Sequence, residues 1–179
     1  GATIELLVTD PAAPPARPTL DVDLVTPVAS RSAFYALEAR LRDAGYRPAM
    51  GGPICRWTID GIAVDLMPPV PTILGFSNRW YGDLIEHAVH VELADGTRIL
   101  IGDAPHPVAT KLEAFRGRGE GDIRFSRDVT DVVTLVDGRE ELRDEIERAP
   151  GEVRRYVASS FARLVRDPDF VDAVSGHLP

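Results

Sequence analysis

The run Arg17-Pro18-Thr19-Leu20-Asp21-Val22-Asp23-Leu24-Val25 alternates in character from Leu20 onward. In an extended strand Leu20, Val22 and Leu24 fall on one face, and Asp21, Asp23 and Val25 on the other. Two carboxylates on one strand face repel each other. A fold accommodates them with a cation between them, or with the strand at a wetted edge. Mg2+ suits the first arrangement, because it accepts one or two carboxylates, keeps waters and completes its shell with phosphates. A second run, Cys55 to Pro68, carries Asp60-Gly61 between two β-rich stretches, the signal of a two-residue hairpin turn. Its second arm sets Ile62, Val64 and Leu66 on one face, and Ala63 and Asp65 on the other. If both strands share a sheet, Asp65 joins Asp21 and Asp23. Three converging carboxylates can hold two Mg2+ ions, which clamp the attacking and leaving oxygens of a phosphoryl transfer. Counting back from the turn also sets Arg56 opposite Asp65, so a cross-strand ion pair is the other use of that acid.

These motifs resemble the nucleotidyltransferase superfamily related to DNA polymerase β, and Arg17-x-Thr19-x-Asp21-x-Asp23 resembles its AbiEii/MenT-type toxin branch. Lys111-Leu112-Glu113-Ala114 is similar to that branch's Lys-Leu-x-Ala helix, and Arg127-Asp128-Val129-Thr130-Asp131 to its basic-Asp-x-x-Asp helix. The resemblance runs from about residue 1 to 137, with its motifs in the family's order. It implies an α/β (α+β) fold: a polymerase β-like core with a mixed sheet flanked by helices, then a helical C-terminal portion. The expected division is 1–104 for the core with the Asp triad and 105–179 for the helical portion with Lys111 and Asp128. The chain departs from the family at its start. The family has a glycine pair opening a short helix, whereas here Gly1 stands alone before a helix-like Ala2-to-Asp10 run. The chain does not begin with Met, and the expectation is that further residues precede Gly1.

Composition narrows the alternatives. The 179 residues carry 44% hydrophobic residues, enough for an ordinary core, and no apolar run of membrane-spanning length. The single cysteine, Cys55, allows no intrachain disulfide and reads as a small strand residue, in keeping with the cytoplasm. A net charge of −8 argues against a surface broadly coated by nucleic acid. Positive charge gathers locally, at Lys111, Arg116, Arg118, Arg124 and Arg127. Helices are expected from Ser30 to Ala44, Pro107 to Gly117, about 129–138, Glu140 to Arg148 and Glu152 to Val165. A second hairpin, Val89 to Ile101, turns at Asp95-Gly96, and an Arg/Gly loop spans 117–121.

The resemblance implies roles for individual residues. Asp21 and Asp23 would ligate Mg2+, and Asp65 would ligate one of the metal ions and take the proton of an attacking hydroxyl. Arg17, Thr19 and Lys111 would bind the nucleotide's phosphates, and Asp128 would orient Lys111 or Arg127. Each has a plainer reading: a loop charge for Arg17, strand propensity for Thr19, a solvated helix-surface cation for Lys111 and a helix-surface acid for Asp131. On the functional reading, Lys111→Ala would weaken NTP use more than Lys111→Arg while leaving stability nearly unchanged, because an exposed cation holds little of the fold together. Trp80 and Tyr81 either stack a base or pack the crossing onto the core. His87, His90, His106 and His177 have no metal-ligand spacing with cysteine. The expected activity is Mg2+-dependent transfer of a nucleotide from an NTP to an acceptor hydroxyl, by resemblance the 3′ end of tRNA. The expected role is that of a toxin restrained by a cognate antitoxin, with no membrane partner. The alternatives are transfer to a small molecule such as an aminoglycoside, and a degenerate, non-catalytic nucleotide-binding domain.

Overall fold

A computed structural model describes residues 2–118 and 122–178. Gly1 and most of the Arg/Gly loop at 117–121 lie outside the described residues. A mixed four-stranded sheet runs in the order β1 (Asp21–Val25), β4 (Ile62–Met67), β3 (Arg56–Ile59), β2 (Arg47–Pro48). β1 lies parallel to β4, while β3 is antiparallel to both β4 and β2. The β3–β4 turn has both Asp60 and Gly61 at positive φ, 49° and 82°, the twist that matches a tight hairpin. A parallel pair cannot be joined by a hairpin. The connection from β1 to β4 therefore carries α2 (Arg31–Asp43), β2 and β3. The Ser30 hydroxyl caps α2 by accepting the Ala33 N–H at 3.2 Å, and Gly45 leaves the helix at φ +92°.

One sheet face packs on α2. Phe34, Trp57, Val64 and Leu66 join Ile73 of α3 (Pro71–Leu74) in a small core where Trp57 is wholly buried. Leu37 and Leu41 pack against its margin, completing the stripe expected of that helix. The strand carrying the Asp pair departs from a fully covered amphipathic strand. β1 is an edge strand, so only Val22 meets the core, while Leu20 precedes the strand and Leu24 stays exposed.

A larger core gathers the remainder. It draws on Trp80, which precedes α4 (Tyr81–Glu86), on the hairpin β5 (Ala88–Glu92)–β6 (Arg98–Gly102), and on α5 (Pro105–Gly117), α6 (Arg127–Gly138), α7 (Leu142–Arg148), α8 (Gly151–Leu164) and α9 (Pro168–Ala173). Ile4, Leu7, Trp80 and Ile101 pack there with Val108, Leu112, Val132, Leu135 and Val157, so the apolar cluster continues across residue 104. The hairpin forms its own two-stranded sheet. The N-terminal helix α1 (Ala2–Glu5) is shorter than the run to Asp10 allowed, because the Thr9 and Asp10 amides donate to the Gly138 carbonyl at 2.9 and 3.0 Å. On α6 the buried stripe is Val129, Val132, Val133 and Leu135, and Val136 is exposed. α9 had no clear signal in the sequence beyond Asp167, whose carboxylate caps it, and Pro168 at its first turn.

Candidate active site

In the parallel β1–β4 pair, Asp23 stands level with Asp65 and Asp21 with Ala63. Level residues of neighbouring strands point to the same side, so Asp21, Asp23 and Asp65 share one face, opposite Val64 and Leu66. The cross-strand pair of Arg56 and Asp65 also forms. Arg56 donates from Nε and Nη2 to the two Asp65 oxygens at 2.8 and 2.7 Å. The same Nη2 donates to Asp21 Oδ2 at 3.2 Å. The guanidinium fork matches a carboxylate with two parallel bonds, and the Asp65 hydrogen bonds raise the Arg56 pKa above its already high ordinary value. Thr19 Oγ1 lies 3.0 Å from both the Asp21 carbonyl and its Oδ1, so its single proton goes to one or the other.

Asp23 makes no hydrogen bond or ion pair with the described residues. Its side chain meets solvent, yet protein surrounds it closely enough that desolvation raises its pKa. Lys111 opposes that rise, and the charges on Asp21 and Asp65 add to it. The β1–β4 face that carries it forms one side of the site, and Lys111 acts on it from the other.

The opposite wall comes from α5 and α6, which pack on each other. Lys111 Nζ lies 2.7 Å from Asp131 Oδ2 and 3.5 Å from Asp128 Oδ1. Arg17 pairs with Asp131 at 3.0 Å, and Arg118 pairs with Asp128. Two sequence expectations change here. Asp131 is not a helix-surface acid, being only 1% exposed, and Lys111 is not a solvated cation, with 22% of its side chain exposed. Burial alone would lower the Lys111 pKa, but the Asp131 charge and hydrogen bond, then Asp128 and Asp23, raise it overall. Burial likewise pushes Asp131 up, and Lys111 outweighs that and holds it below the ordinary carboxylate value. Arg127 is exposed, so Lys111 and Arg118 rather than Arg127 are the partners of Asp128. The i, i+3 spacing of Asp128 and Asp131 was the signal for this pair; what it lacked was any indication that the face is buried.

Between the two walls stands Tyr81, half-buried, its pKa raised chiefly by burial and then by Asp23. It is held there by its neighbours. Asn78 donates from Nδ2 to the Thr110 carbonyl at 2.8 Å and accepts the Trp80 amide at 3.1 Å, fastening the crossing to the turn that carries Lys111. Trp80 itself is 1% exposed and packs on Tyr156, with ring centroids 4.9 Å apart. It is a core residue with no face for a base.

Asp21 and Asp23 fit one divalent cation. Among the described residues Asp23 has no hydrogen-bond or ion-pair partner, and Asp21 Oδ1 is shared only with a hydroxyl. Asp65 has both oxygens engaged by Arg56. Among the described residues no three His, Cys, Asp or Glu side chains stand together as a set able to hold a metal ion. None of the described helices is long and apolar enough to cross a membrane. Comparison with protein-family models and with curated proteins finds no match.

Proposed function

We propose that the chain is a Mg2+-dependent nucleotidyltransferase with a polymerase β-like core. It moves a nucleotide from an NTP to an acceptor hydroxyl at the 3′ end of tRNA, with release of pyrophosphate, as a cytoplasmic toxin with an antitoxin partner. The observation that carries this reading is the shared face of Asp21, Asp23 and Asp65, with Lys111 acting on Asp23 from the opposite wall. Asp21 and Asp23 hold the metal, which when bound supplies charge neutralisation for the phosphates. Asp128 and Asp131 fix the Lys111 ammonium, which meets the phosphates as a point charge. Arg17 braces Asp131, and Thr19 orients Asp21; both reach the nucleotide only by exchanging those partners. Asp65, once released by Arg56, accepts the proton of the attacking hydroxyl. Most of the rate comes from positioning and charge, as in phosphoryl transfer generally. The exposed Arg116, Arg124 and Arg127 give a small basic footprint beside the site despite the net charge of −8.

A second reading, a nucleotide-binding domain without catalysis, is favoured by one observation: Arg56 engages two of the three carboxylates. Incubation with total tRNA, or in parallel with an aminoglycoside, together with Mg2+ and each labelled NTP decides between them. Label entering tRNA with the wild type, and not with Asp21→Asn or Asp23→Asn, supports transfer. Label entering an aminoglycoside instead moves the acceptor to a small molecule. Nucleotide bound with no acceptor labelled supports the non-catalytic domain.

A further inference from the structure

Arg56 sets how many cations the acidic face can take. Three carboxylates share that face, two of them meet the guanidinium, and Asp65, with 9% of its side chain exposed, has both oxygens committed to it. One divalent cation on Asp21 and Asp23 would bring the group to neutrality with Arg56 in place. A second would need Asp65 as a ligand and would leave the group with excess positive charge, more with the guanidinium in place than with it gone. Arg56 has a route out. Its side chain is 28% exposed, and its stem lies against the loop of Gly51 and Gly52, at φ +76° and +125°. A Cβ on Gly52 would sit 3.4 Å from Arg56 Cδ, an ordinary van der Waals contact, so Gly52 borders the stem. Non-glycine residues rarely adopt such backbone angles.

We propose that Arg56 is a gate on the second metal ion: it withholds Asp65 from the ligand set, so the chain binds one divalent cation until Arg56 is displaced. The gate rests on the metal site proposed above and adds its regulation. A nucleotide's phosphates favour the displaced state, because they supply the negative charge that a second cation requires.

The test is the number of Mn2+ ions bound per chain without nucleotide, measured by electron paramagnetic resonance and by calorimetry. Wild type and Arg56→Lys bind one. Arg56→Met binds two, the second at least about tenfold tighter than any second-site binding by wild type, a difference of about 1.4 kcal/mol. The double variant Arg56→Met/Asp65→Asn returns to one, and it avoids the unpaired buried acid that would threaten folding of the single variant. Two ions in wild type, or one in a folded Arg56→Met, overturns the gate while leaving the single-metal site and the transferase reading intact. No ion in any of the proteins overturns the metal site and the gate together.

Discussion

Lys111→Met removes one charge and keeps most of the buried stem. In the wild type the ammonium stands 2.7 Å from Asp131 and 3.5 Å from Asp128, whose side chains are 1% and 6% exposed. Removing one partner of a buried ion pair costs about 3–5 kcal/mol, because an unpaired charge is left behind. Here Asp131 keeps Arg17 and Asp128 keeps Arg118, so the loss is reduced to about 2 kcal/mol. For a chain of this size that lowers Tm by about 4 to 8 °C. The deficit depends on pH with a definite sign. Asp131 is held below its ordinary pKa when folded, so its contribution is present above the unfolded carboxylate value and is lost as pH falls through the folded one. The Tm difference between variant and wild type is therefore full at pH 7 and shrinks below about pH 4, where the acids protonate in both proteins. Adding Asp131→Asn to Lys111→Met removes the charge that has lost its Lys111 partner and recovers part of the loss at pH 7. Thermal melts monitored by circular dichroism at both pH values read all of this. A change under 1 °C at pH 7, or an equal change at both pH values, would refute the ion-network account of Lys111.

Two further outcomes follow from the geometry. Asp23→Asn raises Tm at pH 7 while reducing Mn2+ binding, since desolvation and the Asp21 and Asp65 charges raise its pKa and disfavour the ionised form. The gain is full above the folded pKa and vanishes below the unfolded one, so melts at pH 7 and pH 3 that gave equal gains would contradict it. Gly138→Ala costs about 1–3 kcal/mol by denaturant titration, because the new Cβ would lie 2.9 Å from Cγ1 of Val8, whose branched side chain is stiff, and would press on the segment that Gly138 holds through its carbonyl; a loss under 0.5 kcal/mol would show that the segment yields freely.

Much of this molecule is written locally. Alternation in 20–25 and 62–66, the Asp60-Gly61 turn, the Ser30 cap and the Gly45 stop each act within a few residues, and the sequence specifies them without help. The Arg56–Asp65 pair is legible too, because a two-residue turn fixes its register. The meeting of Asp23 with Asp65 is different. It depends on β1 lying parallel beside β4, a pairing between distant segments that turn chemistry does not dictate. Periodicity likewise marks Asp128 and Asp131 as neighbours on α6 but says nothing of what covers them. Whether those acids are solvated or buried is decided by α5 and Arg17, brought from elsewhere in the chain. Leu24 fails in the opposite sense: its pattern is that of a core residue, and only the edge position of β1 leaves it in water. Local pattern sets which way a side chain points; the packing of distant segments sets what it meets, and so decides its charge state and its use.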